Sequence, residues 1–228
     1  AFTIAPLMAG LFMIILKNTE LAESSGLVGA QAEFAGEADW SSYLGLFAQM
    51  IAVGGIFVFG FVTSWIFGRE YADHTVKDLL TLPYSRAVIV ITKFIASFIV
   101  SFLLSAYILM LGFLIGWMIG LPGWSFDVVM QSLYIILIVT ILTALLSTPV
   151  AFFASFSKGY LAPLGFLVIA LIFSQIIAAV GYGAYFPWSV PALYSGMTGE
   201  NIIHTSGVAL IFITSLLGFF STLFWWLF

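Results

Sequence analysis

Long apolar runs constrain this chain more than any other feature of its sequence. A bilayer core about 30 Å thick needs roughly 20 apolar residues in one helix to cross it. Charged residues make up only 7% of the chain and apolar residues 63%, against about 25% and 45–50% in soluble domains. The sequence therefore predicts an integral membrane protein. Six apolar runs, the first of them short, lie at about 2–16, 43–67, 87–121, 128–156, 160–180 and 208–228.

These runs are continuous rather than alternating, which favours helices over the strands of a membrane barrel. We expect an all-α protein with six transmembrane helices in a single domain that covers 1–228, because no polar segment is long enough to fold separately. The sequence starts without a methionine and stops inside an apolar run at Phe228. We expect the natural protein to extend beyond both ends.

The distribution of charge predicts the orientation of the helices. Basic residues concentrate in the connection after the second run and recur at Lys158, after the fourth. Six helices put these two connections on one face, and the excess of Lys and Arg marks that face as cytoplasmic. Both termini are then cytoplasmic as well. The opposite face would hold Lys17 and the acidic residues Glu20, Glu23, Glu33, Glu37, Asp39, Asp127 and Glu200.

Two other stretches have unusual patterns. The third run is long enough, at roughly 50 Å as a helix, to project from the membrane or to bend. It carries small residues four apart, which let helices approach closely either within the subunit or between subunits: Ser97, Ser101 and Ser105, then Gly112, Gly116 and Gly120. Residues 181–207 combine Pro187 and Pro191 with interfacial aromatics. They predict a re-entrant or interfacial helical hairpin on the outer side, or else an aromatic loop.

Charge is concentrated in the stretch "REYADHTVKDLLTLPYSR", residues 69–86. Arg69, Asp73 and Lys77 are spaced for i,i+4 ion pairs, and apolar residues cluster on the other side. Pro83 stops a helix, and Ser85 is placed to cap the next one. The pattern predicts a helix of about three turns on the cytoplasmic surface, beginning at Arg69. Such a helix either anchors the protein at the interface or docks in a groove of a partner.

The string "GREYADHTVKDLLTLPYSRAVIVITKFI", residues 68–95, resembles the segment between the second and third helices of ABC-2 type permeases. The similarity is closest to the branch for bacitracin and lantibiotic export and self-immunity. The resemblance implies that the surface helix is a coupling helix, which seats on separate ABC ATPase subunits. It further implies a dimer with itself or with a related permease, and a prokaryotic plasma membrane. The implied ATPase contacts are Arg69, Glu70, Tyr71, Asp73, Lys77 and Asp78.

The chain lacks sequence motifs for chemistry of its own. It has no cysteine, no G-x-x-x-x-G-K-[ST] and no H-E-x-x-H, so we expect no enzyme activity and no bound cofactor or metal. His74 and His204 would lie on opposite faces. ATP and Mg would bind to the partner subunit, and no basic patch predicts nucleic-acid binding.

The predicted spans also lack the central charged residues that ion-coupled carriers use, and no discontinuous central helix is evident. Neutral polar residues in them would line a path or hydrogen-bond between helices: Gln49, Thr63, Ser64, Gln131, Ser174 and Gln175. Together with the resemblance, this predicts the permease subunit of an ABC exporter. The resemblance to the bacitracin and lantibiotic branch implies an amphiphilic substrate, a peptide antibiotic or a lipid-like molecule. The alternatives are a secondary carrier or channel, and an immunity protein that does not transport.

Overall fold

A computed structural model describes residues 3–18, 38–76, 81, 83–196 and 205–227, and within these ranges the protein is all-helical. Two short 3-10 turns, Gly183–Tyr185 and Pro187–Ser189, accompany the α-helices. The α-helices are α1 (Ile4–Lys17), α2 (Trp40–Ala72), α3 (Arg86–Ile119), α4 (Phe126–Leu145), α5 (Thr148–Phe156), α6 (Leu161–Ala179), α7 (Val190–Tyr194) and α8 (Thr205–Leu227).

Among the described residues, five helical segments are long and apolar enough to cross a membrane. They are α2, α3, α4 together with α5, α6 and α8. The first apolar run forms α1, which has 14 residues and is shorter than the roughly 20 that a full crossing needs. An all-helical membrane protein is thus confirmed, whereas the sixth crossing stays a prediction.

The second helix is longer than predicted, and its end changes the interpretation of the charged stretch. α2 has 33 residues, about 50 Å at 1.5 Å per residue, and Arg69 lies in its last turn. His74 takes a left-handed conformation with φ 59°, which ends a helix. The prediction of a separate helix that begins at Arg69 is therefore wrong at its start, because no residue before His74 interrupts the span. Residues 77–80 and 82 lie outside the described residues.

The start of α3 follows the sequence prediction. Ser85 has an extended backbone, and its Oγ accepts a hydrogen bond from Val88 N–H at 3.4 Å. The prediction that Ser85 caps the N-terminus of the next helix is therefore confirmed. α3 then continues for 34 residues to Gly120, whose φ of 66° is a left-handed conformation that glycine adopts without strain.

The fourth run is broken, although the sequence predicted one uninterrupted helix over 128–156. α4 ends at Leu145 and α5 starts at Thr148. Pro149 has no N–H, and its ring would clash with the carbonyl of Leu145 in a continuous helix. The Thr148 hydroxyl instead donates to Leu145 O at 2.9 Å. The expectation that no central helix is discontinuous is therefore wrong for this span.

α2 occupies the centre of the bundle, where it contacts α1, α3, α4, α5 and α6. Small residues on α3 allow it to pack closely against α2. A methyl group added to Gly112 would meet the Phe47 ring at 2.6 Å, and one added to Gly116 would meet the Trp40 ring at 2.7 Å. Both partners lie on α2, so this part of the small-residue line packs within the subunit.

Residues 181–196 form more than a plain loop. Their two 3-10 turns and α7 contact α4, α6 and α8, and the Ser189 side chain is buried and donates to Gly183 O at 2.9 Å. Burial raises the pKa of the Tyr194 phenol, with Tyr134 adding to the effect. The helical character of the predicted hairpin is confirmed here, while residues 197–204 lie outside the described residues.

Candidate functional site

The two basic connections of the chain meet at one end of the bundle, which we call the charged end. A methyl group on Gly68 would lie 2.8 Å from the carbonyl carbon of Gly159, and the Ser64 hydroxyl donates to Tyr160 O at 3.0 Å. The connection after α5, with Lys158, is therefore packed against the end of α2. The sequence predicted that both connections share a face, and the packing agrees.

A partly buried ion pair joins α2 to α3 at the charged end. Lys93 Nζ lies 2.7 Å from Glu70 Oε2 and donates to Ile66 O at 2.7 Å. The same ammonium faces the rings of Phe67 and Trp226, at 5.4 Å and 5.6 Å from their centroids. The Lys93 side chain is only 9% exposed and that of Glu70 25%. A charge in such surroundings is stable only because it is paired and hydrogen-bonded.

Arg69 and Asp73 form a second ion pair, and this one faces outwards. Arg69 Nε lies 3.2 Å from Asp73 Oδ2, and their side chains are 57% and 54% exposed. The guanidinium also lies over the Trp65 ring at 4.9 Å. The i,i+4 pair that the sequence predicted is therefore present, as part of the last turn of α2 rather than of a separate helix.

The six residues proposed as ATPase contacts are thus placed differently from one another. Arg69 and Asp73 are exposed, whereas Glu70 points to Lys93, and the Tyr71 ring packs edge-on against Trp226 at 5.9 Å. Lys77 and Asp78 lie outside the described residues. The described part of the set therefore contains two outward-facing residues and two that hold the turn against the bundle.

Hydrogen bonds attach α8 to the charged end, through residues that the sequence analysis did not select as functional. Arg86 Nη1 donates to Trp226 O and Leu227 O, each at 3.4 Å. The indole N–H of Trp226 donates to Ser155 Oγ at 3.0 Å. A cation at a helix C-terminus stabilises the unpaired carbonyls and the negative end of the helix dipole. No local pattern could have revealed these contacts, because they join residues far apart in the sequence.

The neutral polar residues of the spans do not share one role. The Thr63 and Ser97 hydroxyls hydrogen-bond between α2 and α3, and Ser174 donates to Trp188 O at 3.1 Å. Ser64 reaches Tyr160, as described above. Gln49 is half-buried, while Gln131 and Gln175 are exposed.

Two buried threonines were missed by the sequence analysis. The hydroxyls of Thr140 and Thr143 on α4 have no hydrogen-bond partner in the described part of the chain. Their only signal in the sequence is a pair of hydroxyl residues three apart inside an apolar run. Within the described ranges, no group of three or more His, Cys, Asp or Glu residues could hold a metal ion, and His204 lies outside those ranges.

The sequence model described as "ABC-2 family transporter protein" matches residues 2–175, which include α1 to α5 and the charged end. The chain belongs to the ABC-2 transporter family. The resemblance drawn from residues 68–95 is thereby confirmed, and the all-helical membrane architecture agrees with it.

One relative of this ABC-2 chain is the bacitracin transport permease protein BCRB of Bacillus licheniformis. It is 29% identical over 135 residues, which are 59% of this chain and 65% of that protein. The similarity thus covers slightly less than two thirds of the relative. No solved structure matches the chain. The match supports the bacitracin branch of the ABC-2 family.

Proposed function

We propose that this chain is the permease subunit of an ABC exporter, driven by ATPase subunits that dock at the charged end. The observation that carries the proposal is the family match over residues 2–175, which spans the connection between α2 and α3. The chain has no phosphate-binding motif of its own. The energy for transport then comes from separate subunits that bind ATP and Mg.

In this proposal Arg69 and Asp73 contact the ATPase, together with Lys77 and Asp78. Glu70 and Tyr71 act differently, because they join the docking turn to Lys93 and Trp226. ATP can drive the permease only if it binds one state of the complex more tightly than the other. The pairing of Glu70 with Lys93 transfers that preference from the docking turn to α3, and Arg86 transfers it to the end of α8.

The proposed substrate is amphiphilic, a peptide antibiotic or a lipid-like molecule. Two features support it: a relative named for bacitracin transport, and spans whose described charged residues lie near the helix ends rather than at the centre. We place the protein in a prokaryotic plasma membrane with both termini cytoplasmic. It would function as a dimer, with itself or with a related permease.

The test is assembly and transport with an ATPase. The chain would be co-expressed with a candidate ABC ATPase subunit and purified through a tag on the permease. Inside-out vesicles that hold both proteins should accumulate bacitracin when ATP is supplied, but not with a non-hydrolysable analogue. Uptake that needs no ATPase would identify a secondary carrier or channel. An ATPase rate unaffected by bacitracin or any lantibiotic, with no uptake, would favour an immunity protein.

Charge reversals test the docking assignment. Asp73→Lys and Lys77→Glu, made separately, should weaken ATPase association or lower its turnover. The double variant restores the net charge of the segment and should recover part of the loss. Lys158→Glu is the matched control, since Lys158 is an exposed cation at the same end. If neither reversal changes assembly or turnover beyond the control, the docking assignment is wrong.

A further inference from the structure

A cleft of about 710 Å³ opens between α2 and α3 at the charged end. It is lined by four charged residues, Arg69, Glu70, Asp73 and Lys93, and by apolar residues that include Trp65, Ile66, Val88, Ile89 and Ala96. The cleft therefore offers charged and apolar surface side by side. A lipid needs both, the first for its headgroup and the second for its chains.

The charges of the cleft balance. Two cations, Arg69 and Lys93, and two anions, Glu70 and Asp73, line it. Lys93 is already paired with Glu70 and donates to Ile66 O, which leaves the outer pair for a ligand. One cation and one anion side by side complement a ligand that carries one negative and one positive group.

Arg69 has donors to offer. Its Nε–H is used by Asp73, but the two terminal amino groups of its guanidinium donate to none of the described residues. A guanidinium with free N–H groups is a preferred partner of phosphate. The existing pair with Asp73 is largely exposed, so opening it costs no more than about 1 kcal/mol, and each partner can take one half of a zwitterion.

The aromatic residues place this cleft at the edge of the bilayer. Trp65 and Tyr84 line it and are 45% and 65% exposed. Tryptophan and tyrosine are enriched at the level of the headgroups because one side of each ring is apolar and the other polar. Both residues are therefore positioned where a headgroup would pass, with the apolar wall of Ile66, Val88 and Ile89 beside its chains.

We infer that this cleft binds a phospholipid with a zwitterionic ethanolamine headgroup. Arg69 and the Tyr84 hydroxyl take the phosphate, Asp73 takes the ammonium, and one acyl chain lies along α3 past Ala96. The inference concerns the permease alone and does not depend on an ATPase or a transport substrate. A lipid seated there occupies Arg69 and Asp73, two of the residues proposed above to contact the ATPase, so the lipid and the ATPase would compete for these two side chains.

The test measures lipid binding to the purified permease, without any ATPase, by native mass spectrometry. Phosphatidylethanolamine, phosphatidylglycerol and phosphatidylcholine of equal chain length would be titrated separately. Phosphatidylethanolamine should bind most tightly, since a quaternary ammonium cannot donate to Asp73. Arg69→Gln should lower its affinity by about tenfold or more. Asp73→Asn should lower it by about fivefold and leave phosphatidylglycerol binding undiminished.

Two further variants keep the test independent of folding defects. Ala96→Phe fills part of the cleft without changing a charge and should weaken binding of all three lipids. Ala106→Phe, further along α3, and Lys158→Gln, at the same end, should leave binding unchanged. Equal affinities for the three lipids, or equal effects of Arg69→Gln and Lys158→Gln, would overturn the inference. Tighter binding of phosphatidylglycerol that depends on Arg69 would also overturn it, in favour of an anionic headgroup.

Discussion

The carboxylate of Glu70 in the last turn of α2 lies 2.7 Å from the ammonium of Lys93 on α3. The pair sits between the exposed end of α2, with Arg69 and Asp73, and the aromatic rings of Phe67 and Trp226. It joins the two longest helices of the bundle at the end where the charges of the chain concentrate. The structure thereby separates residues that face outwards from residues that hold them in place.

Breaking this pair on one side should destabilise the protein more than breaking the exposed one. Lys93→Met leaves the Glu70 carboxylate without its cation and should cost on the order of 3 kcal/mol of unfolding free energy. Glu70→Gln combined with Lys93→Met removes both charges and should recover much of that loss. The comparison is Arg69→Gln, which opens an exposed pair worth at most about 1 kcal/mol. Thermal unfolding in detergent, followed by tryptophan fluorescence, measures all three, and equal losses would contradict the prediction.

Two threonines of the fourth run should respond in opposite directions to the same substitution. The Thr148 hydroxyl shares its one proton between Leu145 O and Ser215 O on α8, at 2.9 Å and 3.0 Å, so Thr148→Val should cost about 0.6–1.7 kcal/mol, the range for hydrogen bonds between membrane helices. Thr140 is buried without a partner in the described residues, and Thr140→Val should be neutral or stabilising. The unfolding free energies of both variants, measured under the same conditions, test this prediction. A loss at Thr140 as large as that at Thr148 would mean that its hydroxyl is bonded after all.

The approach of α8 to the helix break makes Gly218 intolerant of a side chain. A methyl group there would lie 2.5 Å from the backbone nitrogen of Pro149, and the backbone cannot yield as a flexible side chain would. Gly218→Ala should destabilise the protein by about 1–3 kcal/mol. Gly54→Ala on α2 is the control, because nothing lies within 4 Å of that position, and it should be neutral or gain up to about 1 kcal/mol. If the thermal unfolding midpoints of the two variants were similar, the close approach of α8 to Pro149 would be contradicted.

Two cations cap the C-termini of helices other than their own. Lys17 Nζ donates to Ile119 O and Gly120 O at 3.1 Å and 3.2 Å. Arg86 likewise donates to the last carbonyls of α8. Lys17→Met should speed amide hydrogen exchange in the last turn of α3 only, and Arg86→Met in the last turn of α8 only. Each should cost about 0.3–1 kcal/mol. Lys158→Met should change neither, and exchange that rises at both sites in either variant would exclude separate caps.

The sequence predicted those features that depend on neighbouring residues. The apolar runs marked the helices, Ser85 marked the start of α3, and the spacing of Arg69 and Asp73 marked their ion pair. It failed where distant residues decide the outcome. Glu70 looked like a surface residue because its partner, Lys93, lies on the next helix, and only packing turns the carboxylate inwards.

Some errors could have been avoided and others could not. Pro149, inside an apolar run, was a local signal for the break between α4 and α5. The end of α2 could not be predicted in the same way, because it depends on a left-handed His74. Histidine adopts that conformation more often than most residues, but still only in a small minority of cases. The contacts of Trp226 with Ser155 and Lys93 connect three helices, and a single sequence contains no pattern that would reveal them.

The serine column of α3 has a mechanical consequence. Ser101 and Ser105 donate to carbonyls of their own helix, Ser97 O and Ser101 O, while Ser97 itself bonds across to Thr63. α3 is bonded to α2 at three levels, by the Lys93–Glu70 pair, by Ser97, and by Tyr43, whose hydroxyl donates to Gly112 O at 3.1 Å. Ser101 and Ser105 need no partner on α2, so a slide of α3 along α2 would break those three contacts and still leave both serine hydroxyls bonded.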